Sequence, residues 1–476
     1  MEKTNIIFIL LDQLRSDSVG TFGHSMVRTP NMDKLAGEGA AFENCFVQHT
    51  VCTPSRCSIM TGWYAHVRGH RTLNHLLHKD EPNLMKYLKD AGYWVEWHGK
   101  NDLMDYESFV ESVDHKGKLT MTGKTFIDNP WEKDHPLRKS FYFGERIESE
   151  VVDHDYCCIE NAINFIQQRP EEKPFFLYLP LLYPHPPYNI EEPYFSMYDR
   201  NEVPAPAAVN YDVRPRFYRK YHTVHGMDRV DEKMQREIIA TYYGMITRTD
   251  MLIGKLLDTM EKQGLKDNTA IVICSDHGDY TCDYGLVEKW WCGLTDNLVK
   301  VPLIISYPGM SKKGQKFEHL VESIDLFPTI LDLAGIKEYH TQYGKSLLPL
   351  VEGQTTEHRE CVFAEGGHHP QDLHCREDIL GDEVIGGIYY PKTSYPYEDF
   401  SYMHRAAMAR TAKWKYIKHL TDVAELFDLE ADPREENNLA LDPVYKGVIQ
   451  EMESKLLNWY MQTSDVVPMK PDKREF

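Results

Sequence analysis

The chain has 476 residues and the composition of an ordinary globular protein, with 42% hydrophobic, 12% aromatic and 26% charged residues. Its 73 acidic residues outnumber 53 basic ones, and the resulting net charge of -20 argues against nucleic acid or an anionic membrane surface as a partner. A chain of this length predicts one large domain with a smaller one beside it.

Short apolar strands alternate with helical stretches through the first two thirds of the chain. Strands are predicted at Asn5–Leu11, Tyr93–Trp97, Pro174–Leu182, Ala270–Cys274 and Val301–Ser306. Helices are predicted at Met32–Glu38, Asn83–Ala91, Val151–Gln168, Glu232–Gln263 and Asp325–Ala334. This alternation predicts an α/β fold with a doubly wound, mostly parallel sheet.

After residue 350 the alternation of strands and helices ends. Strand-like segments follow at Cys361–Ala364, Ala407–Ile417 and Glu425–Leu429, separated by the aromatic region Gly381–Tyr402, and Lys446–Tyr460 is expected to form a terminal helix. We therefore expect a large α/β domain over residues 1–355. A C-terminal α+β subdomain with a small antiparallel sheet is expected over residues 356–476.

No stretch approaches the roughly 20 apolar residues of a membrane span. The early apolar run Ile6–Leu11 is too short for the core of a signal peptide. The ten cysteines show no paired spacing typical of a metal site. These features predict a cytoplasmic protein with no membrane association, whose cysteines are mostly reduced.

Two pairs of polar residues follow predicted strands. Asp12 and Gln13 come directly after the first strand, and Asp276 and His277 come just after the strand Ala270–Cys274. Ligands of open α/β sheets bind at the carboxyl ends of strands, so both pairs are expected in one crevice. Two carboxylates, an amide oxygen and an imidazole suit a mostly hard cation. The alternative is that Asp12-Gln13 merely ends a strand and caps a helix.

Residues 52 to 56 read Cys-Thr-Pro-Ser-Arg, which resembles the signature of the type I, formylglycine-dependent sulfatases. Pro54 suits the first turn of a helix, so Cys52 is expected at a helix N-terminus, where backbone N–H groups favour an anion. The resemblance implies that Cys52 is oxidised to formylglycine, whose hydrate attacks a sulfate ester, with Arg56 steadying the developing alkoxide. It extends from Asn5 to about Leu439.

The resemblance also implies an α/β/α sandwich of the alkaline phosphatase-like superfamily and a divalent metal ion. Asp12, Gln13, Asp276 and His277 would hold that ion, which would also touch residue 52. The family often has aspartate where this chain has Gln13. Calcium is the usual ion of the family, but one fewer carboxylate leaves manganese and magnesium open.

Lysines supply the cations that such a site requires. Lys100, in the motif His98-Gly99-Lys100, and Lys289 match the two sulfate-binding lysines of the family. The family usually has a histidine two places after the first lysine, where this chain has Asp102. The base that drives hemiacetal breakdown is therefore open among Asp102, His70 and His98.

Two further groups of residues are expected at the substrate. His185 follows a predicted sheet strand between prolines that hold the backbone extended, so it is the candidate to protonate the departing alcohol. The cationic stretch from His66 to Thr72 contains His70 and Arg71, which could line the substrate pocket together with His98. A solvated loop is the equally open alternative for that stretch.

Together these features predict a sulfatase that hydrolyses a sulfate monoester, such as a small sulfated sugar or an aryl sulfate, to an alcohol and inorganic sulfate. A formylglycine-generating, sulfatase-maturing enzyme is the implied partner. The first alternative is a phosphonate monoester or phosphodiester hydrolase of the same superfamily. A non-catalytic anion- or glycan-binding protein is the second alternative.

Overall fold

A mixed sheet of eight strands forms the centre of the fold, within the part of the chain described here. The structure is a computed structural model, and it describes residues 3–121, 129–147, 153–369, 371–375, 377, 388–389, 399 and 402–470. In chain order the first strands are β1 (Asn5–Asp12), β2 (Ala40–Phe46), β3 (Trp94–Trp97), β4 (His115–Lys116), β5 (Tyr142–Glu145), β6 (Phe175–Pro184), β7 (Tyr188–Ile190), β8 (Thr269–Ser275), β9 (Lys300–Ser306) and β10 (Gln315–Glu322).

The strand order of the large sheet is β10-β2-β9-β8-β1-β6-β3-β4. All neighbouring pairs are parallel except those of β9, which runs antiparallel to both β2 and β8. The sheet is thus mostly parallel, as predicted. β5 and β7 pair separately as a two-stranded parallel sheet.

Helices cover both faces of the large sheet. In chain order, the α-helices of the described residues are α1 (Pro30–Glu38), α2 (Cys52–Thr61), α3 (Ala65–Arg68), α4 (Leu84–Asp90), α5 (Tyr106–Ser112), α6 (His154–Gln168), α7 (Arg216–Val224), α8 (Glu232–Lys262), α9 (Asp296–Val299), α10 (Leu326–Ala334), α11 (Leu348–Val351) and α12 (Lys446–Thr463).

The central strand β1 shows why the sheet needs cover on both sides. All eight of its residues are buried, and successive side chains point to opposite faces. Ile6 and Phe8 join one hydrophobic core with residues of α4 and α10, whereas Ile7 and Ile9 join another with residues of α1, α6 and α8. The result is the predicted three-layer α/β/α arrangement.

A second sheet lies in the C-terminal part of the chain. Its strands are β11 (Val362–Gly366), β12 (Ala406–Arg410), β13 (Trp414–His419) and β14 (Glu425–Asp428), paired in that order and all antiparallel. Helix α12 packs on this sheet through Met452, Leu456 and Trp459. The small antiparallel sheet is confirmed, and the domain boundary after residue 355 stays a prediction.

Several predicted elements differ in detail. The segment Ala407–Ile417 forms two strands rather than one, because a turn at 411–413 separates β12 from β13. Strands β2 and β10 were not predicted, because both carry polar residues that interrupt the apolar pattern. Residues 151–152 of one predicted helix, and most of the aromatic region Gly381–Tyr402, lie outside the described residues.

Among the described residues, no helix combines the length and apolar character that a membrane crossing requires. All ten cysteines are free thiols, and nine of them are buried.

Candidate active site

Four side chains from three separate segments meet at one edge of the large sheet. Asp12 is the last residue of β1, Asp276 and His277 follow β8, and Cys52 begins α2. Each offers one ligand atom, and these four atoms all lie within 4.8 Å of one another. We call these four residues the Cys52 cluster. Because neighbouring parallel strands end at the same edge, the sheet itself brings the two acidic segments together.

The start of α2 explains the position of Cys52. The residue before the helix, Val51, is extended (ψ 142°), so the chain turns into the helix at Cys52, with Pro54 in the first turn. Gly62 closes the helix in the left-handed region (φ 72°). All ten residues of α2 are buried, so Cys52 lies at a helix N-terminus inside the protein.

In each carboxylate of the cluster, one oxygen accepts a hydrogen bond from Arg56 and the other oxygen faces the remaining residues of the cluster. Arg56 donates from Nε to Asp276 Oδ2 at 2.8 Å and from Nη2 to Asp12 Oδ2 at 2.9 Å. The two Oδ1 atoms each lie 3.6 Å from His277 Nε2. Arg56 therefore fixes both carboxylates in the orientation that leaves the Oδ1 atoms facing the cluster.

The Nε2 atom of His277 points its lone pair toward the Oδ1 atoms of Asp12 and Asp276. Its Nδ1 lies 2.9 Å from the carbonyl oxygen of Gly278, so Nδ1 carries the hydrogen and Nε2 is the free acceptor. Burial lowers the pKa of His277, which keeps the imidazole neutral. Cys52 Sγ lies 3.3 Å from His277 Nε2 and 3.5 Å from Asp12 Oδ1. Two carboxylate oxygens and one imidazole nitrogen converging in a buried space suit a divalent cation.

Gln13 lies beside the cluster with its amide between two charged residues. Its Nε2 donates to Asp279 Oδ2 at 2.6 Å, and its Oε1 accepts from Lys289 Nζ at 2.8 Å. Its backbone N–H donates to Asp276 Oδ1 at 3.2 Å, and its φ of 73° is left-handed. The role of Gln13 as a metal ligand stays a prediction, with its amide oxygen on the Lys289 side.

Two lysines bring positive charge to the Cys52 cluster within a strongly acidic protein. Lys100 Nζ lies 3.0 Å from Asp12 Oδ2, 2.7 Å from Asp102 Oδ2 and 3.9 Å from Cys52 Sγ. Lys289 is buried, and burial opposes its charge, but Cys52 and Glu288 raise its pKa above the usual value. Burial opposes the charge of Lys100 as well, and Asp12 raises its pKa well above the usual value. Both lysines are therefore charged at neutral pH.

Cys52 itself is an unreactive thiol in this setting. Its exposed fraction is 1%. Burial, followed by the charge of Asp12, raises the pKa of Cys52 to about 12. Since the thiolate is the nucleophilic form of cysteine, an unmodified Cys52 is protonated at neutral pH and a poor nucleophile.

His185, predicted to protonate the leaving alcohol, is a neutral imidazole. Its Nδ1 lies 2.6 Å from the carbonyl oxygen of Pro186, so Nδ1 donates and Nε2 is left as the acceptor. Burial, and next the charge of Lys289, lowers its pKa to about 3. The charges of Asp12 and Lys100 also act on this ring, and its role as the acid for the leaving alcohol stays a prediction.

Three residues predicted to bind substrate have other partners within the described part of the chain. His70 contacts the His75 carbonyl oxygen at 3.0 Å and Glu81 at 3.2 Å. Arg71 Nη2 pairs with Glu365 Oε2 of β11 at 2.6 Å. The ring nitrogens of His98 lie 3.1 Å from Glu96 Oε1 and from the Gly117 backbone nitrogen. These contacts do not bring them to the Cys52 cluster, so their roles at the substrate and in hemiacetal breakdown stay predictions.

Several residues near the site were not predicted. Asp279 accepts from Gln13 and from the Tyr188 hydroxyl, and Glu288 pairs with Lys289 at 2.7 Å. The position of Asp279 three residues after Asp276 is the signal that could have pointed to it. Tyr389 belongs to the aromatic region singled out in the sequence. Burial and then Glu288 raise its pKa, and its ring packs edge-on against Phe141 at 5.0 Å.

Comparisons with known proteins give a family for most of the chain. The family model described as Sulfatase matches residues 4–336, and the model described as N-sulphoglucosamine sulphohydrolase, C-terminal, matches residues 381–462. The first match contains every strand of the large sheet, and the second contains β12, β13 and β14 of the C-terminal sheet but not β11.

Individual relatives cover the chain nearly end to end. The multifunctional alkaline phosphatase superfamily protein PehA of Trinickia caryophylli is 28% identical over 98% of this chain and 96% of its own. The N-acetylglucosamine-6-O-sulfatase of Bacteroides thetaiotaomicron is 25% identical over 100% of this chain and 88% of its own. The crystal structure of a phosphonate monoester hydrolase of Agrobacterium radiobacter superposes with a TM-score of 0.78, at 22% identity, covering 98% of this chain and 100% of that one.

Proposed function

The chain belongs to the sulfatase family of sulfate-ester hydrolases and has the alkaline phosphatase-like fold, and we propose that it cleaves a small sulfate monoester with a formylglycine made from Cys52. The observation that carries this proposal is the placement of Cys52 at the N-terminus of a buried helix. Ligand atoms of two carboxylates and an imidazole lie within 4.8 Å of its sulfur, and Lys100 Nζ lies 3.9 Å from it.

The chemistry of residue 52 favours a modified side chain. A thiol with a pKa of about 12 attacks a sulfate ester poorly. A formylglycine hydrate would supply two hydroxyls, one to attack sulfur as the alcohol leaves and one whose collapse to the aldehyde expels inorganic sulfate. A formylglycine-generating enzyme is therefore the proposed protein partner. The proposed metal site also fits, because a divalent cation held by Asp12, Asp276 and His277 would lower the pKa of such a hydroxyl.

The protein's own cations hold the sulfate group. Lys100 and Lys289 are both charged, and each lies beside the cluster, where sulfate oxygens would replace part of their present contacts. Arg56 keeps Asp12 and Asp276 oriented rather than contacting substrate first, because both of its hydrogen bonds go to those carboxylates. These cations favour the negative charge that develops on the group in transfer.

His185 is the proposed acid for the leaving alcohol. In the free protein its Nε2 is unprotonated, because burial and the neighbouring cations lower its pKa. A bound sulfate ester adds negative charge between those cations and the ring, which raises the pKa of His185 toward the value that a general acid needs. Asp102, paired with Lys100 at 2.7 Å, is the proposed base for the later proton transfer.

Gln13 joins the proposed metal ligands through its amide oxygen. With this neutral ligand the site holds two carboxylates and one imidazole, a donor set that suits calcium, manganese or magnesium. We propose calcium as the resident ion. Stripping the protein with chelator and restoring each ion in turn, with metal content measured directly, tests that choice.

The second candidate is hydrolysis of a phosphonate monoester or phosphodiester. Tetrahedral phosphate and sulfate oxyanions look alike to the two lysines of the site, which keeps this candidate open. The relative PehA, named multifunctional, also covers 98% of the chain. A phosphodiester and a sulfate monoester both carry one negative charge, so the charges of Lys100 and Lys289 alone do not separate them. A non-catalytic anion- or glycan-binding role is the third candidate.

The substrate is proposed to be a small sulfated sugar or an aryl sulfate. A relative named N-acetylglucosamine-6-O-sulfatase, aligned over the whole chain, supports the sugar. A panel of sulfated mono- and disaccharides, assayed beside nitrophenyl sulfate and a nitrophenyl phosphodiester, tests the reaction class. Faster turnover of the diester than of every sulfate would make the second candidate the function.

The modification is tested by weighing the peptide that contains residue 52 from protein matured in its host. We expect the mass of formylglycine in active material. The variant Cys52→Ala should lose at least about 1,000-fold in kcat while its melting temperature stays close to that of the wild type, because nucleophiles carry effects of this size. Fully active protein with an unconverted thiol would refute the proposed mechanism.

A further inference from the structure

A buried carboxylate outside the Cys52 cluster accepts a hydrogen bond from the amide of Gln13. Asp279 has no exposed surface, and its Oδ2 accepts from Gln13 Nε2 at 2.6 Å. On the other side of the same amide, Lys289 Nζ donates to Gln13 Oε1 at 2.8 Å. We propose that Asp279 is a positioning residue that sets the orientation of the Gln13 amide. That orientation fixes the position of the amide oxygen, which is the proposed metal ligand, and of Lys289, which donates to it. This inference rests on the proposed function for its consequence.

Only one orientation of the amide satisfies both neighbours. Both oxygens of Asp279 face donors, Gln13 Nε2 at Oδ2 and the Thr281 backbone N–H at Oδ1, so its carboxyl acts as an acceptor on each side. A lysine ammonium can only donate, so the amide oxygen must face Lys289 and the amide nitrogen must face Asp279. Turning the amide over would place N–H groups against the ammonium and an oxygen against the carboxylate. Both contacts would then be repulsive, and in a buried site neither could be relieved by water.

Asp279 is itself held in place by several donors. Its Oδ1 accepts from the Thr281 backbone nitrogen at 2.6 Å and from the Thr281 hydroxyl at 2.8 Å. The Tyr188 hydroxyl lies 2.8 and 2.9 Å from its two oxygens. That hydroxyl also accepts from the backbone nitrogen of Glu288 at 2.9 Å, and Glu288 pairs with Lys289. The contacts form a closed ring from Gln13 through Asp279, Tyr188 and Glu288 to Lys289.

The ring explains why a neutral residue stands at position 13. A carboxylate there would bring a second acidic oxygen to about 2.6 Å from Asp279 Oδ2, where two buried like charges repel strongly. The Gln13 amide keeps an oxygen that faces Lys289 and supplies an N–H donor to Asp279. Positions 13 and 279 therefore act as one acid–amide pair. We expect that the pair still functions when the amide is at position 279 and the acid is at position 13.

Two single variants and their combination test the exchange. In Asp279→Asn, the backbone N–H of Thr281 keeps the oxygen of the new amide, so its NH2 faces Gln13 and forces the Gln13 amide over, against Lys289. Gln13→Glu instead places two carboxylates together. In the double variant, the carboxylate introduced at position 13 accepts from Lys289 and from the amide introduced at position 279, so every contact is restored.

The readout is the affinity for Ca2+ and Mn2+, measured by calorimetric titration of the chelator-treated full-length chain. Each single variant is expected to lose about 10- to 100-fold in affinity, as residues that orient metal ligands commonly do. The double variant is expected to return to within about threefold of the wild type or above it. Single variants with wild-type affinity, or a double variant no better than the sum of the two losses, would overturn the proposal.

A matched pair elsewhere supplies the control. Asp250 accepts from Asn31 Nδ2 at 2.8 Å and from the Met32 backbone nitrogen at 2.8 Å, where α1 meets α8. Asp250→Asn removes a comparable buried acid and should leave the metal affinity unchanged. If Asp279→Asn does not fold, a folded double variant supports the pairing and an unfolded one overturns it.

Failure of this inference is distinguishable from failure of the proposed function. Wild-type protein that turns over sulfate esters while the cycle shows no coupling keeps the function and removes the role of Asp279. If the wild type binds no divalent cation, the proposed metal site falls. The same cycle, read from melting temperatures in chelator, then decides whether positions 13 and 279 are coupled.

Discussion

Removal of the Arg56 guanidinium tests how the two acidic side chains of the site are held together. Arg56 has no exposed surface and donates to Asp12 at 2.9 Å and to Asp276 at 2.8 Å, both of which are also fully buried. Arg56→Met keeps most of the volume of the side chain and leaves both carboxylates without that partner. Breaking a buried ion pair from one side costs about 3 to 5 kcal/mol.

That cost translates into a measurable change of melting temperature. For 476 residues the entropy of unfolding is about 1 kcal/mol/K near the midpoint, so the variant should melt about 3 to 5 °C below the wild type in chelator. A divalent cation replaces part of the missing positive charge. It should therefore raise the melting temperature of Arg56→Met by more than it raises that of the wild type.

The control is an equally buried ion pair away from the site. Arg214 pairs with Glu425 at 2.5 Å, and both side chains are fully buried. Arg214→Met should lose comparable stability in chelator, but the added cation should raise its melting temperature by the wild-type increment. Scanning calorimetry with and without Ca2+ measures all three proteins. An Arg56→Met protein that melts within about 1 °C of the wild type in chelator, or that gains no more from Ca2+ than the control, would refute the reasoning.

Two further predictions concern a lysine of the site and a histidine remote from it. Lys289→Met should lower kcat/KM for a sulfate ester by about 10- to 100-fold, since a hydrogen bond to a charged group is worth about 1.5 to 3 kcal/mol; steady-state kinetics with unchanged values would contradict its role. Burial lowers the pKa of His340 to about 4, and its neutral ring accepts from the Tyr87 hydroxyl and donates to the Thr61 carbonyl oxygen. In the unfolded chain His340 binds a proton near pH 6.5, but in the folded chain only near pH 4. The contribution of the neutral His340 ring to the free energy of unfolding is therefore fully present above about pH 6.5 and is lost as the pH falls toward 4. The loss is about 2 kcal/mol between pH 7 and 5. Urea unfolding of the wild type and of His340→Gln at both pH values checks this, and an equal pH dependence in the two proteins would contradict it.

The central strands could be predicted from sequence because burial on both faces leaves a continuous apolar run. Residues Asn5–Leu11 were predicted as a strand, and β1 runs from Asn5 to Asp12. β2 and β10 escaped prediction because each packs at the outer part of the sheet and keeps exposed or half-exposed polar positions. Their strand character comes from pairing with each other and, for β2, with β9, which no local pattern shows.

In the candidate site as well, some residues could be predicted from the local sequence and others could not. Asp12 and Asp276 could be placed together because both follow strands, and the carboxyl ends of strands share an edge. Contacts that join distant loops had no such signal. Asp279 meets Tyr188 across 91 residues of sequence, and Arg71 meets Glu365 across 294. The second contact ties Arg71 to the C-terminal sheet, which the local run of cations around His70 did not reveal.

The depth of Cys52 has a consequence for the timing of its proposed oxidation. With 1% of its surface exposed, and with His277 packed 3.3 Å from its sulfur, this side chain is shielded in the folded chain from a modifying enzyme. Conversion would have to occur while the nascent chain still lacks the segment that follows β8, or before that segment docks. Protein folded first and then exposed to the maturing enzyme should remain a thiol, whereas the same chain presented unfolded should be converted.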